Sequence, residues 1–338
     1  MRKNEYFSFR FDNDRLIFLD QTKLPTEQIY IETESYERIA LAIERLEIRG
    51  APAIGITAAY GLALAVKNSN KENLVHDFEN AFTRLSRTRP TAVNLFFSLE
   101  EMKKIFQDNI QSSQIYEVLK TKAISLHNED ISKCERIAKN GLALFTNKSN
   151  VLTHCNTGRL ATSGDGTAFN IIKHAFDRGL VSHVYVDETR PLYQGLRLTT
   201  FELMENCIPF SVNTDSMAAF LMKERKVDLV LVGADRIALN GDTANKIGTY
   251  NLAVLCYHHE IPFYVAAPTT TIDRTITSGM EIPIEHRQKS ELFAYTEINF
   301  NQDIIDVFNP AFDITPAHLI TGIVTEEQVY RFPYNFIR

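Results

Sequence analysis

The sequence lacks the features by which several classes of protein are recognised. Its 338 residues carry a formal net charge of -6, so there is no basic excess of the kind that binds nucleic acid. No apolar run approaches the ~18 residues of a membrane-spanning helix, and the N-terminal residues contain no apolar core like that of a signal peptide. We therefore expect a cytoplasmic protein that binds neither nucleic acid nor membranes.

Patterned metal ligands and cofactor motifs are also missing. No CxxC pair occurs among the four cysteines, which argues against a zinc framework or a disulfide scaffold and favours a reducing compartment. The histidines show no HExxH spacing, and no GxGxxG follows a strand-like run. We therefore predict no metal site and no cofactor, and a nicotinamide-dependent dehydrogenase is disfavoured.

What the sequence does contain is enough apolar residues for a sizeable core, at 44% hydrophobic and 23% charged. Its character changes near residue 150. Before that point, after short β-like segments, apolar residues recur at spacings of three and four, which predicts helices. The β-like segments are Tyr6–Arg10 and Arg15–Leu19, and the predicted helices are Glu37–Leu46, Ala53–Val66, Leu74–Ser86, Val93–Phe106 and Ile115–Ala138.

Beyond residue 150, short apolar runs alternate with amphipathic stretches, which predicts βαβ units and a parallel sheet. The candidate strands are Val151–His154, His183–Val186, Pro209–Val212, Leu229–Val232 and Phe263–Ala266. The stretches between them are Thr167–Phe176, Leu196–Met204, Asp215–Lys223 and Asn245–His258. We predict an α/β protein with a mainly helical N-terminal domain over residues 1–145 and a Rossmann-like parallel-sheet domain over residues 146–338.

Residues capable of chemistry follow each candidate strand. They are Cys155-Asn156, Asp187-Glu188, Asn213-Thr214-Asp215, Asp235-Arg236 and Pro268-Thr269. In an open parallel sheet, ligands bind in the crevice beyond the carboxyl ends of the strands. Because all these clusters fall on that edge, the pattern predicts a small-molecule site there.

Two of these residues are candidates for catalysis. Cys155 ends a strand and faces a predicted helix N-terminus, which favours a lowered thiol pKa, although an isolated cysteine is more often a buried structural residue. Asp235 follows an apolar run that would desolvate it and raise its pKa towards a general-acid role. The alternative for Asp235 is that it caps the next turn or pairs with Arg236.

Other segments have the character of anion sites. Glycines after Cys155 allow backbone N–H groups to approach a phosphate. Arg49 and Arg89 each lie before a predicted helix and next to small residues, where a guanidinium suits a phosphate. The alternative is that both arginines fix helix ends. Asn245-Lys246 is predicted to open a helix, whose N-terminus would bind an anion, while Lys246 is equally compatible with an ordinary surface charge.

Eight segments resemble the methylthioribose-1-phosphate isomerase family, in order along nearly the whole chain. They are DQTKLP (20–25), IRGAPAIG (48–55), RPTAVNL (89–95), LTHCNTG (152–158), DETRPLYQGLRLT (187–199), GADRIALNGDTANKIGTY (233–250), PFYVAAP (262–268) and FNPAFDITPAHLI (308–320). The family is itself similar to ribose-1,5-bisphosphate isomerases and to regulatory subunits of the translation-initiation exchange factor.

The resemblance implies a methionine-salvage enzyme that converts 5-methylthioribose 1-phosphate into 5-methylthioribulose 1-phosphate. It implies a helical N-terminal domain, a Rossmann-like C-terminal domain and a homodimer. The family motifs place the catalytic pair at Cys155 and Asp235. They place substrate-binding residues at Arg49, Gly50, Ala51, Arg89, Gln194, Asn245 and Lys246.

The implied reaction suggests a hypothesis for the roles of the catalytic pair. Asp235 would protonate the ring oxygen while Cys155 moves the C2 proton, and a hydride shift between C2 and C1 stays open as an alternative route. A ribose-1,5-bisphosphate isomerase and a non-enzymatic regulatory subunit also stay open, the latter being expected to lack the Cys/Asp pair. Two positions depart from the family pattern, Arg159 and Ser216, and both bear on the range of substrates.

Overall fold

The computed structural model describes residues 6–89, 92–294 and 304–336, so Pro90 and Thr91 of the RPTAVNL segment fall outside it. The chain forms two compact units. The first comprises Met1–Glu135 and Gly158–Gly166, and the second comprises Arg136–Thr157 and Thr167–Arg338. The domain boundary that we predict at 145/146 stays a prediction. No helix in the described ranges combines the length and apolar character that crossing a membrane requires.

The first unit contains a three-stranded antiparallel sheet and a cluster of helices. The strands are β1 (Phe9–Asp12), β2 (Arg15–Leu19) and β3 (Tyr30–Thr33). The helices are α1 (Tyr36–Glu44), α2 (Ala51–Val66), α3 (Leu74–Ser86), α4 (Val93–Asp108) and most of α5 (Ile115–Gly141), whose last six residues belong to the second unit. Helix α2 carries no charged residue and is buried on nearly every face, which makes it the core of this unit.

The second unit is built on a seven-stranded sheet. Its strands are β4 (Ser149–Thr153), β5 (Val181–Asp187), β6 (Phe210–Asn213), β7 (Leu229–Val232), β10 (Phe263–Ala266), β12 (Gly322–Val324) and β13 (Val329–Tyr330). A smaller antiparallel sheet contains β8 (Arg236–Ile237), β9 (Thr243–Lys246) and β11 (Phe312–Thr315). The helices include α6 (Ala168–Asp177), α7 (Thr200–Glu205), α8 (Ala218–Lys223), α9 (Thr249–His259) and the short α10 (Ser290–Phe293).

The order in which the chain adds strands to the large sheet reverses at β4, the first strand of this sheet along the sequence. The strand order is β13-β12-β10-β7-β4-β5-β6, and every neighbouring pair is parallel except β12 and β13. Because β5 and β6 lie on one side of β4 while β7 and β10 lie on the other, the chain reverses its progress between β4 and β7. This reversal is the topological switch point, where open α/β sheets bind ligands.

The predicted fold class is confirmed, since a helical unit precedes a mostly parallel α/β sheet. One local prediction is wrong: Asn245 and Lys246 do not open a helix. They end β9, where Asn245 is opposite Asp313 and Lys246 is opposite Phe312 of β11. The helix begins only at Thr249, after Gly248 has turned the chain with a φ of 105°.

Candidate active site at the carboxyl edge of the sheet

Cys155 lies just beyond β4 in a backbone conformation that is unfavourable for a side chain with Cβ. Its φ is 61°, in the left-handed region. Its N–H donates to Thr189 Oγ1 at 2.8 Å, and its C=O accepts from Thr199 Oγ1 at 2.6 Å. We call Thr189 and Thr199 the threonine clamp. Both threonines are buried, so these contacts hold the turn of a nearly buried cysteine in place.

A buried carboxylate lies behind the clamp. The Asn156 side-chain amide donates to Thr199 Oγ1 at 3.2 Å and to Glu202 Oε1 at 2.7 Å. Glu202 is on α7 and has no exposed surface. The chain of contacts from Glu202 through Asn156 to Thr199 therefore connects helix α7 to the carbonyl of Cys155.

The residue before Cys155 is equally well fixed. The ring of His154 is fully buried, with Nδ1 2.9 Å from Asp187 Oδ2 and Nε2 2.8 Å from the Ile247 carbonyl. Asp187 ends β5, and its other carboxylate oxygen accepts from Asn213 Nδ2 at 2.7 Å. Residues that end β5 and β6 are thus tied to the end of β4.

His154, Asp187 and Asp215 place ligand atoms within 4.8 Å of one another, close enough for a cation. Those atoms already serve hydrogen bonds. Both ring nitrogens of His154 are engaged, and the Asp215 carboxylate accepts the N–H groups of Thr189 and Arg190 at 2.8 Å each. The cluster therefore has the character of a structural hydrogen-bond network rather than of a metal centre.

Asp235 follows β7, the strand beside β4. Its backbone N–H donates to the Ala244 carbonyl at 2.9 Å, which joins the end of β7 to β9, and its side chain is half-buried. The neighbouring Arg236 forms an ion pair with Asp273, at 3.4 Å between Nη1 and Oδ2. Burial lowers the pKa of Arg236, and the charge of Asp273 opposes this shift.

Three of the predicted substrate-binding residues lie in the second unit. Asn245 Nδ2 donates to Thr249 Oγ1 at 2.9 Å, and Lys246 Nζ lies 4.7 Å from the centre of the Phe312 ring. Gln194 precedes a π-helical turn, Gly195–Thr199. Its side chain is buried, and its Oε1 has no hydrogen-bond partner among the described residues.

The other four predicted substrate-binding residues lie in the first unit. Arg49, Gly50 and Ala51 lead into α2, and Arg89 precedes α4. Gly50 has a φ of 93°, and a Cβ at this position would lie 2.5 Å from Ala161. The N-terminus of α2 has no side-chain cap and no acidic residue in its first turn. Its N–H groups therefore suit an anion.

The two positions that depart from the family pattern have clear local partners. Arg159 donates from Nη1 to the Tyr6 carbonyl at 2.9 Å and from Nε to Asp165 at 2.8 Å. Ser216 Oγ lies 3.1 Å from Thr214 Oγ1 at an exposed site. Arg159 belongs to the first unit, where it holds the Gly158–Gly166 segment against the N-terminal residues.

Sequence reasoning did not assign roles to the threonine clamp or to His154. The partners of these residues are far along the chain: Thr199 is 44 residues from Cys155, and Ile247 is 93 residues from His154. The only sequence signal was the clustering of polar residues after each strand. That signal identified Asp187, Asn213 and Asp215 but not their contacts.

Comparisons with known proteins agree with this architecture. Residues 47–330 match the model of the "Initiation factor 2 subunit family". A methylthioribose-1-phosphate isomerase of Caldicellulosiruptor saccharolyticus is 51% identical over 333 residues, covering 97% of this chain and 96% of the relative. A protein of the same name from Thermotoga petrophila is 48% identical over 328 residues, covering 97% and 96%.

Two solved structures are similar over almost the full length. The 5-methylthioribose 1-phosphate isomerase of Pyrococcus horikoshii OT3 aligns with a TM-score of 0.90 and 37% identity, covering 98% of this chain and 94% of the other. The structure of the translation initiation factor eIF-2B, subunit delta, from A. fulgidus aligns with a TM-score of 0.84 and 39% identity, covering 98% and 97%.

Proposed function

Because this chain belongs to the Initiation factor 2 subunit family, and within it to the methylthioribose-1-phosphate isomerases, we propose that Cys155 and Asp235 catalyse its reaction. The enzyme isomerises the aldose 5-methylthioribose 1-phosphate to the ketose 5-methylthioribulose 1-phosphate in methionine salvage. The single observation that carries the assignment is topological. Cys155 follows β4 and Asp235 follows β7. These neighbouring parallel strands flank the switch point, where the order of strand addition reverses.

The substrate sets the chemical problem. Its anomeric oxygen carries the phosphate, so the sugar cannot open to a free aldehyde before isomerisation. The bond between C1 and the ring oxygen must therefore break together with movement of hydrogen from C2 to C1. Asp235 protonates the ring oxygen as it leaves, and Cys155 takes the C2 proton and returns it to C1. The C2 hydroxyl becomes the ketone and gives its proton back to Asp235, which restores the acid. General acid–base catalysis of this kind contributes ~10²–10⁴-fold to the rate.

The surroundings of Cys155 suit a proton carrier. The threonine clamp fixes the backbone of Cys155 on both sides, so the position of its side chain is set before the substrate arrives. A preorganised group loses little entropy on reaching the transition state. The thiol is also nearly buried, so little water competes for the proton.

The residues that the family motifs assign to substrate binding carry groups suited to the substrate. In the first unit, Arg49 and Arg89 supply guanidinium groups, and Gly50 and Ala51 supply the uncapped N-terminus of α2, all matched to a phosphate. In the second unit, the buried Gln194 Oε1 needs a donor, which a sugar hydroxyl provides. Asn245 and Lys246 add an amide and a cation, and we assign all seven residues to substrate binding.

We also propose a cytoplasmic homodimer. Five apolar side chains on and beside α8 and α9 are exposed, although the two helices pack on each other: Met217, Phe220, Tyr250, Val254 and Tyr257. Tyr257 is 71% exposed and Phe220 is 60% exposed, which is costly for large apolar groups in a cluster. A second copy of the same surface would cover them, and sedimentation equilibrium measures whether the enzyme is a dimer.

The catalytic assignment is tested with Cys155→Ser and Asp235→Asn. Each variant is expected to lose ~10²–10⁴-fold in kcat, because each removes one proton-transfer group, with an unchanged urea midpoint. Cys207→Ser and Asp177→Asn are matched controls at exposed positions and should retain full turnover. A folded Cys155→Ser or Asp235→Asn enzyme with near wild-type turnover would contradict the assignment.

Two further measurements resolve the route and the substrate. In D₂O, deuterium at C1 of the product identifies proton transfer through an exchangeable group such as the Cys155 thiol, because a hydride shift carries only the hydrogen of C2. Turnover of methylthioribose 1-phosphate should exceed that of ribose 1,5-bisphosphate, with 5-deoxyribose 1-phosphate measured beside them. Preferential turnover of the bisphosphate would favour the alternative isomerase.

A further inference from the structure

His154 is buried at a junction between two parts of the proposed site. On one side its Nδ1 meets Asp187, and on the other its Nε2 meets the Ile247 carbonyl. Gly248 packs directly against the ring, since a Cβ there would lie 2.8 Å from the His154 Cε1. Nothing in the proposed chemistry uses this ring, so its burial calls for another explanation.

The two nitrogens lead to different functional segments. Asp187 is linked to Cys155 through Thr189. The Thr189 hydroxyl donates to the Asp187 carbonyl at 3.0 Å and accepts from the Cys155 N–H. Ile247 is the residue after Lys246, so the Nε2 contact fixes the end of the Asn245–Lys246 segment. One ring therefore bridges a catalytic segment and a substrate-binding segment.

The Ile247 carbonyl is an acceptor, and Asp187 is one in its ionised form; burial raises the pKa of Asp187, and the hydrogen bond and charge of His154 oppose this shift. The Ile247 carbonyl has no proton to give, and the ring nitrogen facing it must donate. The carboxylates that face the ring are Asp187 of β5, Asp215 after β6 and Asp313 of β11. Burial alone would lower the pKa of His154, but the hydrogen bond and charge of Asp187 outweigh it and raise this pKa. A charged ring that donates from both nitrogens satisfies every contact.

We propose that His154 is a positioning residue, a buried imidazolium that holds the Cys155 turn and the Asn245–Lys246 segment in one arrangement. The inference rests on the roles proposed above for Cys155 and Lys246. It adds a residue that touches no substrate atom and acts through hydrogen bonds to the segments that do.

Two substitutions of His154 test its two hydrogen bonds separately. An asparagine amide reaches the place of Nδ1, so His154→Asn keeps the Asp187 contact and loses the Ile247 contact. A glutamine amide reaches the place of Nε2, so His154→Gln does the reverse. We expect His154→Asn to raise KM about tenfold with a small change in kcat, and His154→Gln to lower kcat about tenfold with a small change in KM.

The matched control is His183→Asn, which removes the hydrogen bond between the His183 ring and the Ser211 hydroxyl. It lies nearer the amino end of β5 and should leave both constants unchanged. Cys155→Ser and Lys246→Ala are measured alongside. If either keeps wild-type kinetics, the proposed roles fail. If both lose activity while the two His154 variants change kcat and KM alike, the positioning role alone is overturned.

The wild-type enzyme provides a test that needs no active variant. In ¹⁵N-histidine spectra recorded over a range of pH, the His154 resonance, identified by its absence from whichever variant folds, should keep protons on both ring nitrogens to a higher pH than a free histidine does. Loss of either ring proton at or below the pKa of a free histidine, ~6.5, would overturn the imidazolium assignment.

Discussion

Replacement of Thr199 by valine tests whether the threonine clamp holds the turn of Cys155. Thr199 is 2% exposed, and its hydroxyl donates to the Cys155 carbonyl and accepts from the Asn156 amide. Valine has nearly the same shape but no hydroxyl. The substitution therefore removes two hydrogen bonds without opening a cavity.

The cost follows from the groups that are left behind. The Cys155 carbonyl loses a donor at 2.6 Å, and a buried polar group without its partner costs ~1–3 kcal/mol. Asn156 loses a longer contact of 3.2 Å but keeps Glu202, so its share is smaller. We expect the free energy of unfolding to fall by ~2–3 kcal/mol. The left-handed backbone of Cys155, which itself costs ~1–3 kcal/mol, also loses a restraint.

Thr199→Ser is the matched comparison because it keeps the hydroxyl and loses only a methyl group. Urea denaturation gives the stability of both variants, and steady-state assays give kcat. The valine variant should be the less stable by at least about 1 kcal/mol and should have the lower kcat, since its Cys155 turn can relax. Equal stability and equal kcat in the two variants would refute the idea that the Thr199 hydroxyl restrains the turn of Cys155.

Two further predictions concern packing and pH. A Cβ on Gly195 would lie 1.8 Å from the Asp187 carbonyl oxygen, so Gly195→Ala should destabilise the enzyme by about 3 kcal/mol in urea. Gly179→Ala, where a Cβ meets nothing within 4 Å, should cost only about 1 kcal/mol for its positive φ; equal losses would contradict the steric argument. Burial lowers the pKa of His127 from 6.5 to about 4, so its neutral ring stabilises the fold above pH 6.5, and this stability is lost as the pH falls towards 4. From pH 7 to pH 5 the wild type should lose about 2 kcal/mol more than His127→Gln, and parallel pH profiles would contradict the assignment.

Apolar periodicity and short apolar runs predicted several elements to the residue, because these elements are buried along a pattern that is local in the sequence. The predicted bounds of Leu74–Ser86, Leu229–Val232 and Phe263–Ala266 are those of α3, β7 and β10. In each case a continuous apolar face or run packs into a core. Burial of such a run dominates the local free energy, so the sequence alone determines the element.

Strands held by distant partners escaped prediction. The sequence of β9, Thr-Ala-Asn-Lys, contains a single β-branched residue and no aromatic one, so it carries little strand signal. It forms a strand because it pairs with Phe312–Thr315, far along the chain. The same reason explains why Asn245 and Lys246 were assigned to a helix: their conformation is decided by tertiary pairing, which no local window contains.

The location of the candidate site at the carboxyl edge of the sheet could be predicted from the sequence. The hydrogen bonds that hold its residues in place could not. Residues that follow buried parallel strands must gather at one edge, so Cys155 and Asp235 could be nominated from their positions alone. The contacts that fix Cys155 come from Thr189 and Thr199, in the loop and helical turn that follow β5. Hydroxyl groups of this kind are common, and only the folded backbone determines which ones face the cysteine.

The distribution of left-handed residues gives a reason to connect strain with function. Nine described residues other than glycine have a positive φ. Asn13 and Asp14 form the hairpin turn between β1 and β2, where such angles match the strand twist. A further four end helices in the usual way: Leu46, Cys207, Arg225 and Glu260.

Only Cys155, Thr189 and Tyr193 serve neither purpose, and all three lie in the loops that follow β4 and β5. No hairpin or helix end requires them to adopt these angles. Thr189 is at once one of the strained residues and half of the clamp on another, so relaxing either turn disturbs both. Strain that is shared in this way persists only where the surrounding structure over-determines it, and here it falls on the residue that follows β4, one of the two strands at the switch point of the sheet. This coincidence supports the proposed role of Cys155.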